Sequence, residues 1–80
     1  MGAQLTFSYD REGDILYVNA VEPYAEQESD EIAEGVVARM NPATGAVENL
    51  EILFFSSRFD RLGDLLRLPI GAEMTPPLAV

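Results

Sequence analysis

The chain contains no cysteine, no histidine and no lysine. Without cysteine there is no disulfide framework, and without either thiolate or imidazole the usual transition-metal sites are excluded. The same absences leave Ser56 and Ser57 with no ordinary base to activate them, so a serine nucleophile is not expected. No apolar run approaches the about 20 residues needed to cross a bilayer. No basic stretch followed by an apolar segment opens the chain, so no secretory signal is expected. Met1-Gly2-Ala3-Gln4-Leu5-Thr6 formally matches the myristoylation pattern. That pattern is loose and here leads straight into an extended run, so no acyl anchor is expected.

Positive charge is also scarce. Five arginines (Arg11, Arg39, Arg58, Arg61 and Arg67) stand against 14 acidic residues, giving a net charge of −9. DNA or RNA would be repelled by such a chain. The expectation is an acidic, soluble, cytoplasmic protein with neither nucleic-acid nor membrane partners. A basic protein partner fits this charge better.

Eighty residues make one domain, 1–80, with a generous 48% of apolar residues. A chain this short hides only about 60–65% of its unfolded surface. Small domains often add disulfides, a metal or a partner chain. With thiolate and imidazole chemistry gone, association remains: a homodimer, or a complex with another protein.

Leu5, Phe7 and Tyr9 alternate, so they share one face of a strand predicted over 4–9. Asp10-Arg11-Glu12-Gly13-Asp14 has turn chemistry, with Gly13 free to take a positive φ. Ile15-Leu16-Tyr17-Val18 then continues as a second strand, over 14–20. Pro23 ends that strand or confines it to an edge. Residues 22–34 hold six acids: Glu22, Glu26, Glu28, Asp30, Glu31 and Glu34. Glu26, Glu28 and Asp30 share a face if this segment is extended, and a short helix is the competing reading.

Gly35 opens a strand over Val36–Met40. Asn41-Pro42-Ala43-Thr44-Gly45 makes a turn, with Pro42 presetting φ and Gly45 allowing a left-handed residue. Residues 46–54 follow as a strand, in which Leu50, Ile52 and Phe54 alternate as a buried face. Beyond it the period changes. Ser57 and Asp60 resemble a capping box, and Phe59, Leu62, Leu65 and Leu66 fall on one helical face. Pro69 stops this helix, predicted over 57–68, and Gly63 weakens it. Residues 70–80 read as an irregular tail whose apolar members (Ile70, Met74, Leu78 and Val80) pack on the domain or on a neighbour. The fold class is therefore α+β: a small antiparallel sheet of two β-hairpins, about four strands over 5–54, with one C-terminal amphipathic helix on one face.

Tyr9-Asp10, Asp14-Ile15-Leu16-Tyr17-Val18, Glu34-Gly35-Val36-Val37, Gly45-Ala46-Val47 and Leu50-Glu51-Ile52-Leu53 occur in this order. The ordered set resembles the bacterial family catalogued as domain of unknown function 2283, over roughly residues 5–58. Arg39-Met40-Asn41 departs from its acidic pattern, Asn49 replaces a common glycine, and the segment after Phe59 is longer than in many relatives. The family carries no assigned activity, so the resemblance implies a fold rather than a chemistry. The occurrence of members beside small toxin-like proteins implies an antitoxin-like role.

Three constellations invite a functional reading. Asp10, Glu12 and Asp14 crowd one turn as hard-cation ligands would, but no bidentate acid completes a calcium loop near Val21. An ordinary turn is expected there, with Asp10 accepting backbone N–H groups. Glu26, Glu28, Asp30, Glu31 and Glu34 form a solvated face, an edge protected by charge, or a strip for an Arg/Lys-rich partner. Paired-carboxylate catalysis needs a cleft that two hairpins and a helix scarcely offer. Ser56-Ser57-Arg58 reads as helix capping. Phe54, Phe55 and Phe59 are read as core or interface. The reading is a non-catalytic, self-associating interaction domain with no catalytic residue and no cofactor. Its partner-binding candidates are Glu26, Glu28, Asp30, Phe55, Phe59, Leu62 and Leu66. An antitoxin-like binder of a basic protein is the first alternative, and a carboxylate-based metal binder or hydrolase the second.

Overall fold

A computed structural model of the chain describes residues 4–62 and 65–76, with side chains over 4–59 and 65–76. Five strands and one helix follow in order: β1 (Thr6–Asp10), β2 (Ile15–Asn19), β3 (Glu28–Ala33), β4 (Val36–Met40), β5 (Val47–Leu53) and α1 (Phe55–Leu62). The strands form one sheet in the order β1-β2-β5-β4-β3, and every neighbouring pair is antiparallel. The two expected hairpins are present as β1-β2 and β4-β5. The count of four strands is corrected to five, because the acidic segment contributes β3. Its charged side chains point to water while its backbone pairs with β4, and that pairing overrides a composition poor in strand formers.

The long return from β2 to β3 passes β5 and β4, so strands β2 to β5 form a Greek key with β1 added at the edge. Residues directly opposite across an antiparallel pair lie on the same face. The register therefore puts Tyr9, Leu16, Ile52 and Val36 in one row, and Phe7, Val18, Leu50 and Ala38 in the next. This face holds the core. Val36, Ala38, Leu50 and Ile52 are buried, with Val18, Ile32, Ala33, Leu68 and Ile70 packed against the cluster or partly buried.

Leu68 and Ile70 add to the cover of the sheet, Ile70 as one of the tail residues expected to pack on the domain or on a neighbour. The described helix is Phe55–Leu62, residues 65–68 of the predicted span have no regular structure, and this irregular segment lays both side chains on the core. A tight turn about Pro69, with the Ile70 N–H donating to the Leu68 carbonyl at 2.8 Å, aims both inward. Residues 65–76 have no regular structure. Gly63, Leu78 and Val80 lie outside the described residues, as do the side chains of Asp60 and Leu62.

The helix also begins two residues before the predicted Ser57, at Phe55. Phe54 precedes it with a φ of 55° and is exposed, so the alternation of Leu50 and Ile52 does not continue through it. A left-handed phenylalanine redirects the chain from strand to helix, at the steric expense usual for a residue with a Cβ. In the β1-β2 turn the left-handed residue is Asp14, with φ 58°, rather than Gly13. Gly45 takes the expected left-handed conformation in the β4-β5 turn, at φ 77°. There the Asn41 carboxamide oxygen accepts the N–H groups of Ala43 and Thr44.

Candidate interaction surface

Asp14 ties the first hairpin to the helix. Its carbonyl accepts the Phe55 N–H at 3.0 Å, and its Oδ1 accepts the Ser56 N–H at 3.0 Å. The Ser56 hydroxyl donates to Oδ2 at 2.9 Å, and the Tyr9 hydroxyl donates to Oδ1 at 2.6 Å. Free N–H groups at a helix start need acceptors, and a carboxylate there also meets the favourable end of the helix dipole. The cap thus comes from a distant turn, and Ser57 lies inside the helix rather than at its start. The Tyr9 hydrogen bond, followed by those of Ser56, holds the Asp14 carboxyl below its ordinary range. The same bond pushes the Tyr9 phenol up.

Asp10, Glu12 and Asp14 do not converge. Asp10 accepts the Gly13 N–H at 3.2 Å, as a turn residue does, while Asp14 faces the helix. Among the described residues no group of three acidic side chains is placed to hold a metal ion. The acidic candidates lie elsewhere: Glu28 and Asp30 are exposed on β3, the far edge of the sheet, opposite Met40 and Ala38, and Glu26 stands before that strand.

The aromatic candidates gather at the other edge. Phe55 packs against Tyr9 with ring centroids 6.0 Å apart, and Phe59 meets Phe55 edge-on at 5.1 Å. Tyr9 in turn continues a row with Phe7 on β1 and with Leu5 just before it. These three are 45%, 63% and 50% exposed, although their row belongs to the face that holds the core. Leu66 is half-buried in the segment after the helix, and the Leu62 side chain lies outside the described ones. Leu5 and Phe7 were absent from the expected partner-binding set. Alternation revealed that they share a face, but that no element among the described residues covers them shows only in three dimensions.

The opposite face mixes Ile15, Val37 and Leu53 with a polar region. Ser8, Tyr17, Asn19, Pro23, Arg39, Asn49 and Glu51 line an open recess of about 480 Å³. Arg39 and Glu51 pair across it at 2.9 Å. Beside it, the β2-β3 connection is fastened to β5 by a polar cluster. The Gln27 carboxamide donates to Asn49 Oδ1 at 2.6 Å and to Glu48 Oε1 at 3.0 Å. Asn49 donates to Asn19 Oδ1 and to the Val21 carbonyl, and the Tyr24 hydroxyl donates to Glu48 at 2.7 Å. Gln27 leads, with Tyr24 and Asn41, in holding the Glu48 carboxyl below its ordinary range. Each of these polar groups is used to satisfy another, so the cluster holds a crossover in place.

A second fastening joins the β3-β4 turn to the helix. Arg58 donates from Nε to the Leu53 carbonyl at 2.8 Å and from Nη2 to the Glu34 carbonyl at 2.9 Å. Gly35, at φ 72°, receives the guanidinium where any Cβ would stand. Sequence reasoning valued Gly35 as a strand opener and did not foresee this contact.

A five-stranded antiparallel sheet, a short capped helix and an uncovered apolar edge define a small α+β domain. The chain belongs to the family described as Protein of unknown function (DUF2283), whose model matches residues 6–56. That span runs from the first residue of β1 to Ser56, the residue whose N–H and hydroxyl hold Asp14. Searches of curated proteins and of solved structures returned no match. Among the described residues no helix is long and apolar enough to cross a membrane.

Proposed function

We infer that the chain is a non-catalytic, cytoplasmic interaction domain that associates with itself. The observation that carries this reading is the imbalance between covered and uncovered apolar surface. Four apolar side chains are buried among the described residues, whereas Leu5, Phe7, Tyr9, Val21, Val47, Phe54, Leu65 and Met74 are exposed. Scattered exposed apolar residues are ordinary, but a contiguous row beside aromatic rings is the mark of a contact surface. The residue types point the same way: there is no histidine, cysteine or lysine to pair with a nucleophile. Sedimentation equilibrium tests the reading. A concentration-dependent dimer supports it, and a folded monomer at every concentration overturns it.

A second reading rests on the other edge. Glu28, Ser29, Asp30 and Glu31 are all exposed along β3, which suits an antitoxin-like role toward a basic protein. Salt-sensitive co-purification of an Arg/Lys-rich protein through this edge would favour it.

A further inference from the structure

We propose that two copies join edge to edge through β1, antiparallel, about a two-fold axis at Phe7, so that their sheets become one. The proposal rests on the self-association reading above and adds which surface and which register.

The two free edges of the sheet differ in charge. Edge β3 carries Glu28, Asp30 and Glu31 and has an irregular register between Glu31 and Ala33, both of which hinder strand addition. Laying two β3 strands together about Asp30 would set aspartate against aspartate. Edge β1, Thr6–Asp10, is exposed at every position and has one charge, at its end. It lacks the lysine, proline or bulge that natural sheets use to block such an edge.

The β1 sequence is also complementary to itself. With Phe7 on the axis, Leu5 stands opposite the second copy's Tyr9, Phe7 opposite Phe7, Thr6 opposite Ser8 and Gln4 opposite Asp10. All apolar pairs then share one face, no like charges meet, and the polar pairs lie on the other face. Aromatic pairs directly opposite are among the favourable cross-strand combinations. Leu5 of each copy also arrives beside Tyr9, whose ring already touches Phe55. The contact thus extends from the strand onto the aromatic pair of the helix.

Given the exposures of Leu5, Phe7 and Tyr9, this row offers about 300 Å² of accessible surface per copy, plus the unpaired backbone edge. A standard interface takes about 800 Å² from each partner, so the dimer belongs with the weaker, concentration-dependent ones.

The test compares the wild type with Phe7→Lys and Ala43→Lys by sedimentation from about 10 μM to about 1 mM, the range suited to a small interface. Phe7 is 63% exposed and Ala43 is exposed in the β4-β5 turn, so each monomer should keep its fold, checked by circular dichroism. The expected result is a wild-type dimer, a dissociation constant raised about tenfold or more by Phe7→Lys, and little change with Ala43→Lys. A wild-type dimer that Phe7→Lys leaves intact overturns the β1 edge but not self-association. A wild-type monomer at the highest concentration overturns both. Because the chain has no cysteine, Phe7→Cys gives an independent check of the register. Opposed residues in antiparallel strands lie within disulfide range, so mild oxidation should give a covalent dimer from Phe7→Cys and none from Asp30→Cys. The reverse pattern overturns the proposal even if Phe7→Lys fails to fold.

Discussion

Replacing Gly35 with alanine should destabilise the domain through two separable effects. The first is conformational: at φ 72° an L-residue with a Cβ is strained by about 1–2 kcal/mol. The second is a collision, since the new methyl group would occupy the position of the Arg58 guanidinium. Arg58 would have to move Nη2 and release its bond to the Glu34 carbonyl, worth about 0.5–1.5 kcal/mol net, and would strain the neighbouring Nε bond to the Leu53 carbonyl. The combined loss is about 2–3 kcal/mol, because part of the bonding survives by rearrangement. For a domain of this size that lowers the melting temperature by about 10–20 °C. Urea unfolding of Gly35→Ala, Arg58→Ala and the double variant, at one protein concentration, isolates the coupling. With the guanidinium gone, Gly35→Ala should cost only its conformational part, so the double variant should be about 1 kcal/mol more stable than the sum of the singles predicts. Additivity within about 0.5 kcal/mol would refute the collision, and a neutral Gly35→Ala would refute both effects.

Asp14→Ala should remove the helix cap, lowering helical circular dichroism and the melting temperature; an unchanged signal would mean that Ser56 and Phe55 find other acceptors. Gln27→Ala should leave Asn49 Oδ1 buried without its donor, at about 1–3 kcal/mol in urea unfolding. In a pH titration of stability, Asp14 and Glu48 have folded-state values below the ordinary 3.8 and 4.5. Their contribution is complete above those values and disappears as pH falls through the lower folded ones. Tyr9 and Tyr24 are raised above the ordinary 10.0, so theirs is complete below 10.0 and disappears as pH rises through the higher folded values. A stability profile flat on both flanks would contradict these hydrogen bonds. Leu68→Ala should also destabilise, by about 1–2 kcal/mol for a half-buried leucine, and no change would argue against the irregular segment as cover for the core.

The hairpins were legible because a two-residue period and turn chemistry are local. Leu5, Phe7 and Tyr9 alternate, Asn41 and Gly45 close a turn, and pairing follows. Three features were not legible, each for a physical reason. Strand β3 was left open between an extended segment and a short helix, because its acidic composition favours neither, and its pairing with β4 decides for the strand. The helix start depends on Asp14, 42 residues before Ser56, and no local signal marks a cap that comes from so far away. The exposure of β1 reflects where the chain ends its sheet, a matter of topology that periodicity does not encode. The candidate site followed the same division. Phe59 was readable as part of a helical stripe and Phe55 as core or interface, whereas their continuation into Phe7 and Leu5 required the register between β1 and β2.

The unequal margins of the sheet also decide how far assembly can proceed. Two molecules joined at β1 spend both of their permissive margins on each other. What then faces outward at either end is β3, studded with carboxylates and broken in register. In such a dimer a third molecule would find no neutral strand left to lengthen the ribbon, and fibre formation would be blocked at its first step. An acidic segment with no evident chemistry of its own would then serve as a stop, keeping a sticky strand from becoming an aggregation seed.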